Sequence, residues 1–411
     1  MGGEVTSMRG LVLAIGALVI VAGCGHLPGG QVTAGDYKLY EAVSQKVSVI
    51  DSRAHSVERN LPLGTPSPDW MHLYTVSSSA LLDLDPQTGT TLHTLALPGG
   101  YQLPPATLSG VPGGLSQDGR WLVLEAFDTT STTPSATHLL LIDTSYAMRP
   151  QPVDLKGFFN FDAISNDGRR VYLIQYVSST EYYVRQFDVG IGQLNPTIIF
   201  DKLDGGAAMA GLRLSGVVSP DGQMLYSVYV RPNKSAFIHA LSLDGNLIAY
   251  CIDLPGSADP AANGDAEFQW SLALSPDGNH LYAANGAMGI VADVSTGGNG
   301  PPSITRTAHI AKGQPASSGA AVSPDGGTLV MSGDKGIEWV DTTTLRARDS
   351  ALAGWTVRSL AMSPDGTTVY AIDDAGMIAE LSMTGTHSAT TFGGAPGLPM
   401  ALLRVAAAPG S

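Results

Sequence analysis

Charge is scarce in this chain, and cysteine scarcer still. Only 14% of its 411 residues are charged, with 22 Lys and Arg against 36 Asp and Glu and a formal net charge of −14. A field of that sign repels phosphate backbones and anionic headgroups, so no nucleic-acid partner is expected. Acidity of this kind also keeps a protein soluble outside the cell. Two cysteines, Cys24 and Cys251, are too few for a disulfide framework. The apolar run Leu11 to Val21 falls short of the roughly 20 residues that span a bilayer. Metal and cofactor signatures are missing as well. The nine His are scattered, and there is no His-Glu-x-x-His, no Gly-x-Ser-x-Gly elbow, no phosphate loop and no dinucleotide fingerprint. No catalytic residue, metal or cofactor is therefore assigned.

What is abundant is punctuation: 49 Gly and 26 Pro within a chain of 44% hydrophobic residues. That mixture suits many short strands joined by tight turns. The first segment is different. Arg9, a short apolar core and a small-residue exit describe a cleavable leader over 1–23. The exit, Val21-Ala22-Gly23-Cys24, resembles the lipobox of bacterial lipoproteins. That resemblance makes Cys24 the first mature residue and the site of lipidation, followed by a flexible tether over 24–36. The implied location is the outside of the bacterial cytoplasmic membrane, or the periplasm or outer membrane of a Gram-negative source. Glu4 is out of place in a positive leader, and translation from Met8 would remove it. Cys251, left without a pairing partner in a strand-like run, reads as a small buried thiol.

One pattern recurs seven times. Its copies are Ser67-Pro68-Asp69-Trp70, Ser116-Gln117-Asp118-Gly119, Ser165-Asn166-Asp167-Gly168, Ser219-Pro220-Asp221-Gly222, Ser275-Pro276-Asp277-Gly278, Ser323-Pro324-Asp325-Gly326 and Ser363-Pro364-Asp365-Gly366. Pro presets φ, Asp can accept from nearby N–H groups, and Gly takes a positive φ, so each copy is a tight reversal. Trp70 stands where the other copies carry Gly, and a different turn geometry is expected there. Apolar alternation flanks every turn, as in Leu272-Ala273-Leu274 and Leu281-Tyr282-Ala283. A third strand ending in Asp and a fourth after a second turn complete each unit. Four short strands repeating at this interval predict propeller blades.

The Ser-Pro-Asp-Gly turn, the Leu-Tyr strand and the Asp and Thr-Gly turn resemble the YVTN/WD40-like propeller repeats of bacterial surface proteins. The resemblance implies an all-β fold, a single β-propeller of four-stranded antiparallel blades over 37–406, with 407–411 as a disordered tail. Seven blades are expected, with eight as the alternative, and the ring is expected to close with strands from both termini. Lys38 to Val43, Val47 to Asp51 and Leu398 to Val405 supply that closing material. Val57 to Leu63 either ends the composite blade or begins the blade of Asp69.

Short turns fall on one face of such a ring and the long segments on the other, where binding usually resides. The candidate binding face comprises Asp128, Asp201, Asp204, Asp259, Asp265, Glu267 and Trp270, with Phe268 beside them. The opposing reading makes Phe268 and Trp270 core residues. The repeated turn aspartates read as structural caps. Function is then expected to be non-catalytic binding by a lipid-anchored monomer, with an envelope protein or glycan as partner. A lactonase-like propeller hydrolase or lyase, and an envelope assembly component resembling the Tol-system propeller, are the alternatives.

Overall fold

The computed structural model describes residues 36–106, 111–128, 133–178, 181–202, 209–256, 263–298 and 300–408. The expected leader, Cys24 and nearly all of its tether lie outside them. Among the described residues no helix is long and apolar enough to cross a membrane.

The structure is a β-propeller of eight blades, not seven. Blade 1 follows from Thr65–Pro66 to Thr91–Ala96, and blade 2 from the Leu115–Leu122 bridge to Gln151–Lys156. Blades 3 and 4 begin at Phe159–Ile164 and Leu212–Val218, and blades 5, 6 and 7 at Ser271–Leu274, Ala320–Val322 and Val357–Met362. Blade 8 is composite. Pro399–Ala407 forms its inner strand, and Tyr37–Val43, Lys46–Asp51 and Ser56–Pro62 follow outward. Tyr37 pairs with Ala407 and Lys38 with Ala406, so both ends of the chain are hydrogen-bonded in one sheet. The last strand thus runs one residue past the expected limit of 406. The count of seven turns misleads for a topological reason. In blade 8 the place of the first turn is where the two chain ends meet, so no turn sequence marks it. Ser56–Pro62 ends the composite blade, which resolves the ambiguity of Val57 to Leu63.

Packing explains why the middle strands read as nearly unbroken apolar runs. A blade has a neighbour on each side, so both faces of its middle strands are covered, as in sheets buried on two sides. All seven residues of Ala236–Ser242 are buried. Outermost strands face solvent and alternate instead, as in Ser303–His309, or carry charge along the edge, as in Arg346–Ala351. Eight apolar cores are present among the described residues, and each joins one pair of adjacent blades. Blade 8 packs on blade 7 through Leu39, Leu402, Tyr370 and Ile372, and on blade 1 through Tyr40, Val49, Leu73 and Leu84.

The repeated turn has the same wiring in all seven copies. The Ser hydroxyl donates to the Asp two residues on, at 2.5 Å in the Ser67, Ser219 and Ser323 copies and 2.6–2.7 Å in the others. The same oxygen accepts from the N–H five residues on, for example Thr368 N at 3.0 Å. Trp70 does not change the geometry. It takes φ of 59°, close to the 69–77° of the six glycines. That conformation is unfavourable for a bulky residue. The intact Ser67–Asp69 bond and packing of the indole between Tyr40 (ring centroids 4.7 Å) and the Arg404 guanidinium hold it there. Turns also touch across blades. A Cβ on Gly366 would lie 2.8 Å from Pro324 Cδ, so glycine is needed there for closeness as well as for φ. Asn166, replacing Pro, accepts from Asp118 N at 3.1 Å and so links the turns of blades 2 and 3. Tyr37 reaches from blade 8 to Asp365 of the blade 7 turn, with its hydroxyl donating at 2.8 Å.

Removing one turn hydroxyl orphans a buried amide. Ser363→Ala strips Thr368 N–H of its acceptor, and a loss of about 1–3 kcal/mol is expected in denaturant unfolding. The turns also set an acid limit. The Ser275 hydroxyl, with the N–H and amide of Asn279, brings Asp277 down to about 2. Asp365, against some desolvation, is brought to about 2 by Ser363, Thr367 and Tyr37. Lowered folded values mean stability that is complete above the usual carboxylate range and lost as pH falls toward 2. Three buried glutamates act in the other direction. Burial lifts Glu41, Glu125 and Glu338 from 4.5 to about 7, opposed at Glu41 by Ala395 N–H and at Glu125 by Phe161 N–H. Their raised folded values favour the folded state below 4.5, and that advantage is lost as pH climbs to about 7. Thermal midpoints against pH should therefore peak between these limits. Glu41→Gln, which keeps an acceptor for Ala395 N–H, should flatten the neutral-side decline.

Candidate functional site

Asp204 and Asp259 lie outside the described residues. Asp128 is half-buried and accepts from Ser135 Oγ at 2.9 Å. Asp201 belongs to a two-residue strand laid parallel on the outer edge of blade 4. Asp265 is exposed and pairs with Lys234 at 2.6 Å. Glu267 sits in the short 3-10 helix Gly264–Gln269, fully buried, accepting from Asn263 Nδ2 at 3.0 Å and Trp270 Nε1 at 3.1 Å. Trp270 is 3% exposed and packs in the core between blades 4 and 5, with Phe268 against it. Glu267 and Trp270 thus satisfy each other, and Trp270 offers no open platform.

A different set of side chains converges at the seam between blades 3 and 4. The inner strand of blade 3 reads Phe159-Asn160-Phe161-Asp162-Ala163-Ile164. Strand periodicity places Asn160 and Asp162 two apart, and a register shift between Phe161 and Ala163 leaves Asp162 outside the ladder. The inner strand of blade 4 carries a matching irregularity between Arg213 and Ser215. Bulges re-aim side chains, and here they set Arg213 Nη1 2.7 Å from Asp162 Oδ1. Asp162 is buried to 1% side-chain exposure and Arg213 to 20%. Gly216 leaves the room they need, because a Cβ there would come within 2.8 Å of Arg213 Nη2 and 2.9 Å of Ser227 Oγ.

The pair does not exhaust the polarity of the seam. Among the described residues, thirteen buried side-chain polar atoms have no hydrogen-bond partner, and nine of these belong to blades 3 and 4. They include Asn160 Oδ1, Asp162 Oδ2, Tyr182 Oη, Arg213 Nε and Tyr229 Oη. Burying a polar group unpaired costs about 1–3 kcal/mol, so such clustering calls for an explanation. All five residues line one cavity of about 120 Å³. A second compartment of about 160 Å³ continues from the same Asp162 and Arg213 past Gly114 to Gln117 of the blade 2 turn. The first compartment is bordered by Ala106, Tyr176, Tyr182 and Gly211, which lie at the long-segment ends of their blades.

Charge in the seam is muted by burial. Desolvation pushes the Asp162 carboxyl up, opposed by Arg213. It drives the Tyr182 and Tyr229 hydroxyls well above their ordinary range, reinforced at Tyr229 by Asp162. His239, also fully buried, is lowered to about 4 by desolvation and then by Arg213, so its imidazole is neutral at physiological pH. Cys251 Sγ lies 3.8 Å from His239 Nδ1, and burial followed by the Asp201 charge raises the thiol. A thiol held protonated is a weak nucleophile. Among the described residues no three His, Cys, Asp or Glu side chains come together as a metal site. The arrangement is suited to holding a polar guest. Its signal in the sequence was Asn160, Asp162, Arg213 and Ser215 interrupting otherwise apolar inner strands.

No protein-family model matches the chain, and no curated protein matches it. Solved structures do. Dihydro-heme d1 dehydrogenase NirN in complex with DHE is similar at 13% identity and TM-score 0.53, over 91% of this chain and 76% of that one. The Pseudomonas aeruginosa periplasmic gluconolactonase PpgL is 18% identical with TM-score 0.43, over 80% of this chain and 97% of that one. Kuenenia stuttgartiensis hydrazine synthase is 15% identical with TM-score 0.43, over 77% and 99%. At these identities the likeness to NirN is one of fold, and the fold shared is the β-propeller.

Proposed function

We propose that this chain is a non-catalytic binding protein of the bacterial cell envelope, anchored through lipid on Cys24, whose recognition site is the seam cavity between blades 3 and 4. One observation carries the reading: five polar side chains around a single cavity each keep a buried polar atom with no protein partner. A rigid scaffold that gathers polar side chains with unspent hydrogen-bonding capacity around a cavity is suited to receive a ligand. The lipobox-like Val21-Ala22-Gly23-Cys24 supports the envelope address.

Two measurements on the full chain produced in a bacterial host test this. Metabolic labelling with a fatty acid should mark the wild type and fractionate it with membranes, and Cys24→Ala should lose both the label and the association. Assays of the purified protein on lactone and ester substrates, with metal content determined on the same sample, should give no rate above the buffer blank. Turnover that Asp162→Asn abolishes would contradict the reading.

A further inference from the structure

The chemistry of the lining side chains narrows what the cavity accepts, provided the cavity is the binding site argued above. Asp162 Oδ2 can only accept a hydrogen bond while ionised, and Arg213 Nε–H can only donate. Tyr182 and Tyr229 do either, and the Asn160 amide brings an acceptor and a donor group. The ion pair itself leaves no net charge over. An anionic ligand close enough to meet Arg213 also meets the free oxygen of Asp162, and a cationic ligand close enough to meet that oxygen also meets Arg213. A guest that serves this set carries groups that donate and accept at once, with no formal charge. Hydroxyl groups have that property.

The remaining wall is apolar, with two aromatic rings in it. Tyr176 lines the cavity with Phe161, and its ring stacks on Phe158 with centroids 5.0 Å apart. An aromatic face beside closely spaced donors and acceptors suits a molecule with C–H bonds on one face and hydroxyls at its edge. Size limits the guest further. Each compartment has room for several waters, so a small solute fits and a folded partner does not. We infer that the ligand is a neutral polyhydroxylated molecule of monosaccharide size, held by hydrogen bonds to the polar lining side chains Asn160, Asp162, Tyr182, Arg213 and Tyr229.

The experiment is ligand-observed saturation-transfer NMR and calorimetry on the full lipidated chain in a zwitterionic detergent free of sugar headgroups. The probes are glucose, galactose and myo-inositol, against acetate and sulfate as anions and putrescine as a cation. At least one neutral polyol should bind and the charged probes should not. Tyr229→Phe and Tyr182→Phe keep the ring and delete one hydroxyl each, and each should weaken that binding about three- to tenfold. Their thermal midpoints should hold or rise, since each removes an unpaired buried group, and a merely structural role would lower them. Asn160→Ala, at a half-buried position, gives the same binding readout if either tyrosine variant misfolds. Binding of charged probes alone overturns this inference and leaves the binding reading standing. Polyol binding that all three variants leave intact removes the ligand from the seam and overturns it as well. Binding of no probe by the wild type overturns both.

Discussion

Each turn of this propeller hangs on a serine hydroxyl that serves two masters at once. It donates to an aspartate two residues on and accepts from the backbone five residues on, and the loop between them is drawn into a reversal. The reversal sets the register of the first two strands of a blade. It also brings the fourth turn residue against the preceding blade's turn, where Gly366 meets Pro324. Local hydrogen bonding is thereby converted into spacing between sheets. Once the spacing is set, the apolar middle strands have a neighbour on both sides, and eight separate cores form. Without the turn, strands such as Ala236–Ser242 would leave one buried face in search of cover.

The repeat made the architecture legible, because it combines turn chemistry with strand periodicity. The blade number was not legible to the same degree. Counting turns counts blades only where the chain is continuous, and blade 8 has its chain ends where the turn would be. The pairing of Tyr37 with Ala407 completes blade 8, and the Tyr37 hydroxyl on Asp365 ties it to blade 7. Trp70 shows a second limit. Residue identity argued against a left-handed conformation, yet the serine and aspartate wiring outweighs the preference and aromatic packing accommodates the side chain.

The site was less legible than the fold, for a physical reason. Acidic loop residues attract notice because they are polar where polarity is ordinary, and Asp265 illustrates it with an exposed lysine partner. Polarity carries more information where it is expensive. Asn160 and Asp162 in an inner strand, with Arg213 facing them, stand against the apolar pattern of every middle strand around them. Which of those atoms would find partners depended on two bulges and on the space at Gly216, and pattern alone does not reveal either. Glu267 shows the converse, since a buried carboxylate with its hydrogen bonds satisfied by Asn263 and Trp270 is architecture.

The seam between blades 3 and 4 holds a cavity lined by side chains whose buried polar atoms have no protein partner. High-resolution crystallography of the ligand-free protein reads this directly. Ordered solvent is expected in the cavity within hydrogen-bond distance of the Asp162, Arg213 and Tyr229 side chains, with the Asp162–Arg213 pair intact. A collapsed seam, in which these groups bond one another and no solvent is present, would contradict it.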